Sequence, residues 1–270
     1  MTSLTEGPPD PVVRAFGLRG ASRRLAGGQD DSFVVDGAVL KRVGDAAEAA
    51  WVQGLAQRLD PQGFRIARPV RAAGDAWVID GWTASEFIPG LAPAAPDWDQ
   101  VFAAGRRFAD ATEALGPTAS DAEVLAARGH RWARADRCAW GEEDIDLAGV
   151  AGSVLFSLRD LTDAPTGERR IIHADLTGNV HVDPWGTPVI LDLSPYLRPL
   201  RWADAIVVAD AVTWWTAPLD LATSFAASDE GRDLLARALI FRLVAEQLGG
   251  SAGDPNNLEP YQSVLRHLTA

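Results

Sequence analysis

A chain of 270 residues that is 47% hydrophobic is long enough to bury a substantial core. Its formal charge of −12 argues against a nucleic-acid surface, which would run on lysine and arginine contacts to phosphate, and its single cysteine, Cys138, excludes an internal disulfide or a cysteine-rich metal site. The N-terminus lacks the basic start and apolar run of a secretory signal, and the longest apolar run, AIVVADAVTWW from Ala205, is short and interrupted by Asp210, so a cytoplasmic protein with no membrane partner is expected.

Residues 22–43 alternate β-prone runs with turn signals. Asp36 and Gly37 lie between DSFVV and AVLKRV as a two-residue hairpin turn would, which predicts two or three antiparallel strands. Lys41 ends one of these runs and is the only lysine beside 24 arginines. Arginine serves most ion-pair roles at least as well, so the lone lysine marks a position that needs a compact ammonium on a flexible stem.

An alanine-rich helix of about four turns follows Asp45, with Glu48, Trp51, Val52, Leu55 and Leu59 on one face. Two further strand-like runs around ARPVRAA and AWVIDGW predict a sheet of about five strands with one helix. Beyond the proline-rich SEFIPGLAPAAPD the pattern turns helical, over residues 98–115, 121–140, 146–161, 201–215, 230–248 and 260–267. Tryptophans 202, 214 and 215 are expected to pack in the core, with a sugar ring or a cation as the other use.

One stretch interrupts the helices. RRIIHADLTGNVHVDPWGTPVILDL reads as a hairpin, NVHV and PVILDL flanking the turn DPWG, with His173, Asp175 and Asn179 leading into it and Asp192 near its far end. Antiparallel pairing brings those two ends together. An asparagine carbonyl and a carboxylate are hard oxygen ligands suited to Mg²⁺, so Asn179 and Asp192 are the candidate metal ligands, and Asp175 could accept a proton from a substrate hydroxyl. His173 reads as a brace for the loop, and Asp204 as a structural brace as well, while Asp210 has no evident role at this level.

HADLTGN and VILDLS resemble the catalytic and metal-binding loops of the kinase-like fold in its aminoglycoside phosphotransferase and choline kinase branch. Upstream landmarks occur in the family's order. Gly27 and Gly28 match its glycine-containing turn over the nucleotide phosphates, and VLK ending in Lys41 matches its phosphate-binding lysine. Glu48, with Asp45 as the other candidate, matches the helix carboxylate that pairs with that lysine, and WTASEFIPG, containing Trp82 and Ala84, matches the hinge that holds adenine through backbone groups. Three features depart from the pattern: the loop from Asp175 to Asn179 is one residue short, Ser194 stands where glycine is frequent, and Glu48 follows Lys41 closely.

The resemblance implies a two-lobed α+β protein: a small antiparallel sheet with one helix over residues 1–88, hinge included, and a mainly helical lobe over residues 89–270. It further implies transfer of the γ-phosphoryl group of ATP or GTP, with Mg²⁺, to a hydroxyl of a small molecule such as an aminoglycoside-like, cationic or sugar compound. The alternative is a kinase-like protein that binds a nucleotide or a protein partner and transfers nothing.

Overall fold

The structure is a computed structural model that describes residues 7–25, 32–116, 118–164, 167–249 and 258–269. Its elements run α1 (Asp10–Ala15), β1 (Arg23–Arg24), β2 (Ser32–Val35), β3 (Ala38–Arg42), α2 (Ala46–Arg58), β4 (Arg65–Ile66), β5 (Trp82–Glu86), β6 (Ala92–Pro93), α3 (Trp98–Leu115), α4 (Ala119–Ala127) and α5 (Arg131–Ala139). They continue with α6 (Gly149–Arg159), β7 (Arg169–His173), β8 (Val180–Val182), β9 (Pro188–Ile190), β10 (Pro195–Pro199), α7 (Leu200–Thr213), α8 (Asp220–Phe225), α9 (Asp229–Leu248) and α10 (Glu259–Leu268).

The first sheet has the order β1-β2-β3-β5, antiparallel throughout. Val35 pairs with Ala38 across Asp36 and Gly37, whose φ values of 49° and 77° are the left-handed pair that a tight hairpin turn requires. The sheet has four strands where five were expected. Residues 68–72 run beside β5, with Val70 N–H donating to Ala84 O and Glu86 N–H donating to Arg68 O, but Pro69 has no N–H and the pairing stops at a single bridge to Ser85. One face of the sheet is closed by Val12 and Val13 of α1, a six-residue helix that the sequence reading did not anticipate in its proline-rich setting, and by Phe16 just after it.

Asp45 caps α2 by accepting from the N–H groups of Ala47 and Glu48 at 2.9 and 3.0 Å. The buried side of α2, Leu55 and Ala56, and Leu59 just after it join a second cluster with Phe64, Ile66, Val101, Phe108, Leu176 and Val180. In addition, β4 pairs in parallel with β9. Residues 46–66, expected within the first lobe, therefore share their core with α3 and the β8–β9 hairpin.

The largest cluster joins α5, α6, α7 and α9. Trp202 is wholly buried there, 5.4 Å from Trp140 and 5.4 Å from Phe241. The helix expected over residues 121–140 is two helices. The chain is extended at Arg128, and His130 caps α5 by accepting from Ala133 N–H at 3.2 Å. Among the described residues, no helix is long and apolar enough to cross a membrane.

One strand pair was hidden in the sequence: β7 and β10 pair antiparallel, from Pro195 opposite His173 to Pro199 opposite Arg169. Proline at both ends of β10 masks its strand character. This pairing lays the segment after Asp192 directly beside the strand that leads into Asp175.

Candidate active site

The β8–β9 hairpin turns because the Asp183 carboxylate accepts from the N–H groups of Trp185 and Thr187 at 3.0 and 2.9 Å, with Gly186 in the left-handed region. Val180 pairs with Ile190, and Leu191 N–H donates to Asn179 O at 3.0 Å. Asn179 and Asp192 thus lie at the same end of the hairpin, as the sequence predicts.

The short loop closes as a tight turn. The N–H groups of Asn179 and Val180 both donate to Leu176 O, and Gly178 supplies a φ of 86°. The turn swings the Asn179 amide onto Asp175: Nδ2 donates to the Asp175 carbonyl at 2.7 Å and to its carboxylate Oδ2 at 3.0 Å. Because Nδ2 is the donor in both bonds, Oδ1 remains the acceptor end of Asn179, the atom a hard cation would take. Leu176 anchors the loop against Gly105 of α3, where an added Cβ would lie 2.5 Å from the leucine Cδ1.

His173 ties the two loops together. Asp175 N–H donates to its Nδ1 at 3.1 Å, and its Nε2 lies 2.8 Å from Asp192 O and 3.2 Å from Ser194 N. Burial in the core against Phe108 holds the imidazole below its ordinary pKa and keeps it neutral. Protonating it turns Nδ1 into a donor and costs the bond from Asp175 N–H. A folded pKa below the unfolded value near 6.5 means that the unfolded state binds the proton first, so stability falls as the pH drops through roughly 6.5. His181, also held low by burial, acts in the same window. The melting temperature of the wild type should drop between pH 7.5 and pH 5.5 more than that of His173→Gln; equal drops would show that His173 does not carry the effect.

Lys41 stands mid-strand between Ser32 and Thr83, and its Nζ lies 2.5 Å from Asp192 Oδ2. Both side chains are partly exposed, so the pair faces the open cleft between the sheet and the hairpin. The lysine partner expected from the sequence is different. Glu48 instead lies 2.8 Å from Arg128 Nε and 3.4 Å from His130 Nε2. Arg128 is buried and also donates to Pro195 O, so it needs a counter-charge that Glu48 supplies. Burial alone would raise the Glu48 carboxyl, but His130 and Arg128 outweigh it and hold it below its ordinary pKa. Asp45 is engaged as the cap of α2.

Trp82 and Ala84, expected at the hinge, are inside the sheet. The N–H and C=O of Trp82 are exchanged with Ile79, the C=O of Ala84 accepts from Val70, and both side chains are buried in the sheet's core. Past the end of β5 at Glu86, the Phe87 N–H still donates to Gly37 O at 3.0 Å, so the chain leaves the sheet's pairing only beyond residue 87. Gly27 and Gly28 lie outside the described residues.

The sequence reading missed the second holder of Asp175. Arg242 of α9, 1% exposed, donates from NH2 to Asp175 Oδ1 at 3.0 Å. The same guanidinium grips the fully buried Asp210 of α7 through Nε at 2.6 Å and NH2 at 2.7 Å. The available signal was an arginine inside the apolar run ALIFRLVA, matched by an aspartate inside AIVVADAV. Asp204 pairs with Arg106 at 2.9 Å and braces α7 against α3.

Around Asp175 the chain forms a cavity of about 90 Å³, lined by Glu48, Arg128, His130, Trp132 and Arg242 as well. On its other side Arg242 stacks 4.8 Å from the ring of Trp214. Trp214 and Trp215 are 42% and 40% exposed, Trp214 donating to Glu246 at 2.6 Å and Trp215 meeting Trp98 edge-on, so these two rings, unlike Trp202, reach the surface beside the site.

Asn179 Oδ1 and the Asp192 carboxylate are hard oxygen donors at the same end of the hairpin. Among the described residues, no cluster of three or more His, Cys, Asp or Glu forms a closed cage. That donor set fits Mg²⁺, which binds through one or two carboxylates and keeps waters and substrate phosphates in its shell.

No family model matches the chain, and no curated protein is similar to it in sequence. Solved structures are similar in fold. An aminoglycoside phosphotransferase from Alicyclobacillus acidocaldarius superposes with a TM-score of 0.56 at 18% identity, over 99% of this chain and 98% of that one. Choline kinase LicA from Streptococcus pneumoniae gives 0.56 at 14% identity, over 95% and 96%. A thermostable mutant of the aminoglycoside phosphotransferase APH(4)-Ia, in a ternary complex with AMP-PNP and hygromycin B, gives 0.61 at 12% identity, over 95% and 97%. The chain therefore has the α+β kinase-like fold that these aminoglycoside phosphotransferases and choline kinase share.

Proposed function

We propose that this protein is a small-molecule phosphotransferase that moves the γ-phosphoryl group of ATP or GTP to a hydroxyl. The observation that carries the reading is the convergence of Lys41, Asp175, Asn179 and Asp192 on one cleft, with His173 joining the loops that hold three of them.

In this reading Asp175 accepts the proton of the attacking hydroxyl, held for that task through both carboxylate oxygens. Lys41 aligns the phosphates from the sheet. Asn179 and Asp192 would hold Mg²⁺, which supplies charge neutralisation on the phosphoryl oxygens. The base of the nucleotide is held by backbone beyond β5, in residues 88–90, rather than by Trp82 or Ala84.

The acceptor enters beside Asp175, between the cavity and the exposed rings of Trp214 and Trp215. Tryptophan faces and the net charge of −12 favour a sugar-like or cationic molecule. The ternary complex of APH(4)-Ia with AMP-PNP and hygromycin B is in keeping with a nucleotide and a hydroxylated acceptor in one site.

A thermal-shift titration tests the nucleotide half of the proposal. ATP or GTP should stabilise the wild type in a Mg²⁺-dependent manner, and Asp192→Ala should lose that stabilisation. Absence of any shift in the folded wild type would sink it and favour a protein that binds a different partner.

A further inference from the structure

We infer that Arg242, anchored by Asp210, is the positioning residue for Asp175. The inference rests on the reading of Asp175 as the base. Three observations carry it.

First, the geometry is a relay. The guanidinium binds Asp210 in a two-point fork at 2.6 and 2.7 Å and extends NH2 to Asp175 Oδ1 at 3.0 Å. A fork of this kind fixes the plane and direction of the guanidinium, which an ammonium would not do. Asn179 takes the other oxygen, Oδ2, so the carboxylate is held at two points from opposite sides. Its rotation is then set by α7 and α9 as well as by the short loop.

Second, the relay is held in place by packing. Arg242 and Asp210 are 1% and 0% exposed, and the guanidinium is flanked by Trp132 at 5.3 Å, Trp214 at 4.8 Å and Phe241 at 5.0 Å. Asp175, by contrast, has 43% of its side chain exposed and would sample other rotamers without such a tether.

Third, core stability does not require the pair. Two charges buried between apolar helices cost desolvation that well-packed apolar side chains would avoid, so the pair stabilises the core weakly if at all. What it achieves is a fixed contact to the one partly exposed carboxylate at its end. The missing residue of the loop gives this a physical reason: a shortened turn carries less of the base's orientation itself, and the helices behind it supply the rest.

The test needs no knowledge of the acceptor, because water can take its place. In Mg·ATP hydrolysis the water oxygen bonds to the γ-phosphorus as the bond to the β,γ-bridging oxygen breaks, ADP leaves with the electron pair, and Asp175 takes the water's proton. Steady-state hydrolysis is measured for the wild type, for Asp210→Asn with Arg242→Met, for Asp210→Asn alone and for Arg242→Lys. Each is repeated in an Asp175→Asn background. The paired change removes both charges at once, so no buried charge is left alone, and its melting curve checks folding.

The expected result is a fall in kcat of about tenfold to a hundredfold in the paired variant with KM for Mg·ATP unchanged, below the full contribution of a general base. A smaller fall is expected in Asp210→Asn, and partial recovery in Arg242→Lys relative to the paired variant. In the Asp175→Asn background these losses should vanish, because a residue acting through Asp175 has nothing left to act on. Losses that persist in that background, a proportional rise in KM, or no loss at all would overturn the inference while leaving the phosphotransferase reading intact. Wild-type hydrolysis no faster than that of Asp175→Asn would remove both.

Discussion

Asp175→Asn should lower turnover by about 10² to 10⁴-fold, the range a positioned general base contributes, while nucleotide affinity and melting temperature stay close to wild type. The substitution keeps the size and shape of the side chain at a site with 43% exposure, so little packing is lost. What changes is chemistry. A carboxylate accepts from Asn179 on one oxygen, from Arg242 on the other, and still has lone pairs for a hydroxyl. An amide has one acceptor oxygen, so it must present its NH₂ to one of two donors, and it cannot take the proton. Turnover is read from ADP release with a panel of hydroxyl acceptors, and affinity from calorimetry with Mg·nucleotide. Matching losses in turnover and affinity would mean that Asp175 holds the nucleotide and is not the base.

The largest loss of stability is expected from Arg242→Ala. The variant leaves Asp210 wholly buried between α7 and α9 with the only charged partner it has among the described residues gone. Breaking a buried pair in this way costs about 3–5 kcal/mol, which at roughly 2–4 °C per kcal/mol for a chain of this size lowers the melting temperature by about 6–20 °C. The pH dependence gives the cause away. Burial pushes the Asp210 carboxyl up to about 6 even with Arg242 opposing it, and without the arginine it rises further. A folded pKa above the unfolded value near 3.9 means that the folded state holds the proton longer, so stability is present at low pH and lost as the pH rises. The deficit of Arg242→Ala should therefore be smallest near pH 4–5 and grow toward neutral pH. In Asp210→Asn with Arg242→Met that growth should be absent. A deficit under about 1 kcal/mol, or one that ignores pH, would show that Asp210 finds water or another partner.

The candidate site was legible in the sequence wherever chemistry is carried by neighbours. HADLTGN holds the proposed base, the brace and a proposed ligand within seven residues, and the turn DPWG returns Asp192 to Asn179, so the sequence alone places these groups together. Lys41 stood out by composition, and the sheet sets it beside Asp192. Glu48 did not behave as its position along the chain implies. Its partner Arg128 comes from the break between α4 and α5, 80 positions away, and is an obligatory one because that arginine is buried.

The order of turn residues, caps and alternating apolar positions determined the β2–β3 hairpin, the capped helix after it, the site hairpin and most of the helical remainder, since each depends on residues near one another along the chain. The tertiary structure alone decided that α2 packs on α3 and the hairpin, that β10 lies along β7, and that Arg242 reaches Asp175 across 67 positions. Those outcomes depend on which buried faces meet, and a buried charge takes whatever opposite charge the packing brings within reach. No spacing rule along the chain encodes that encounter.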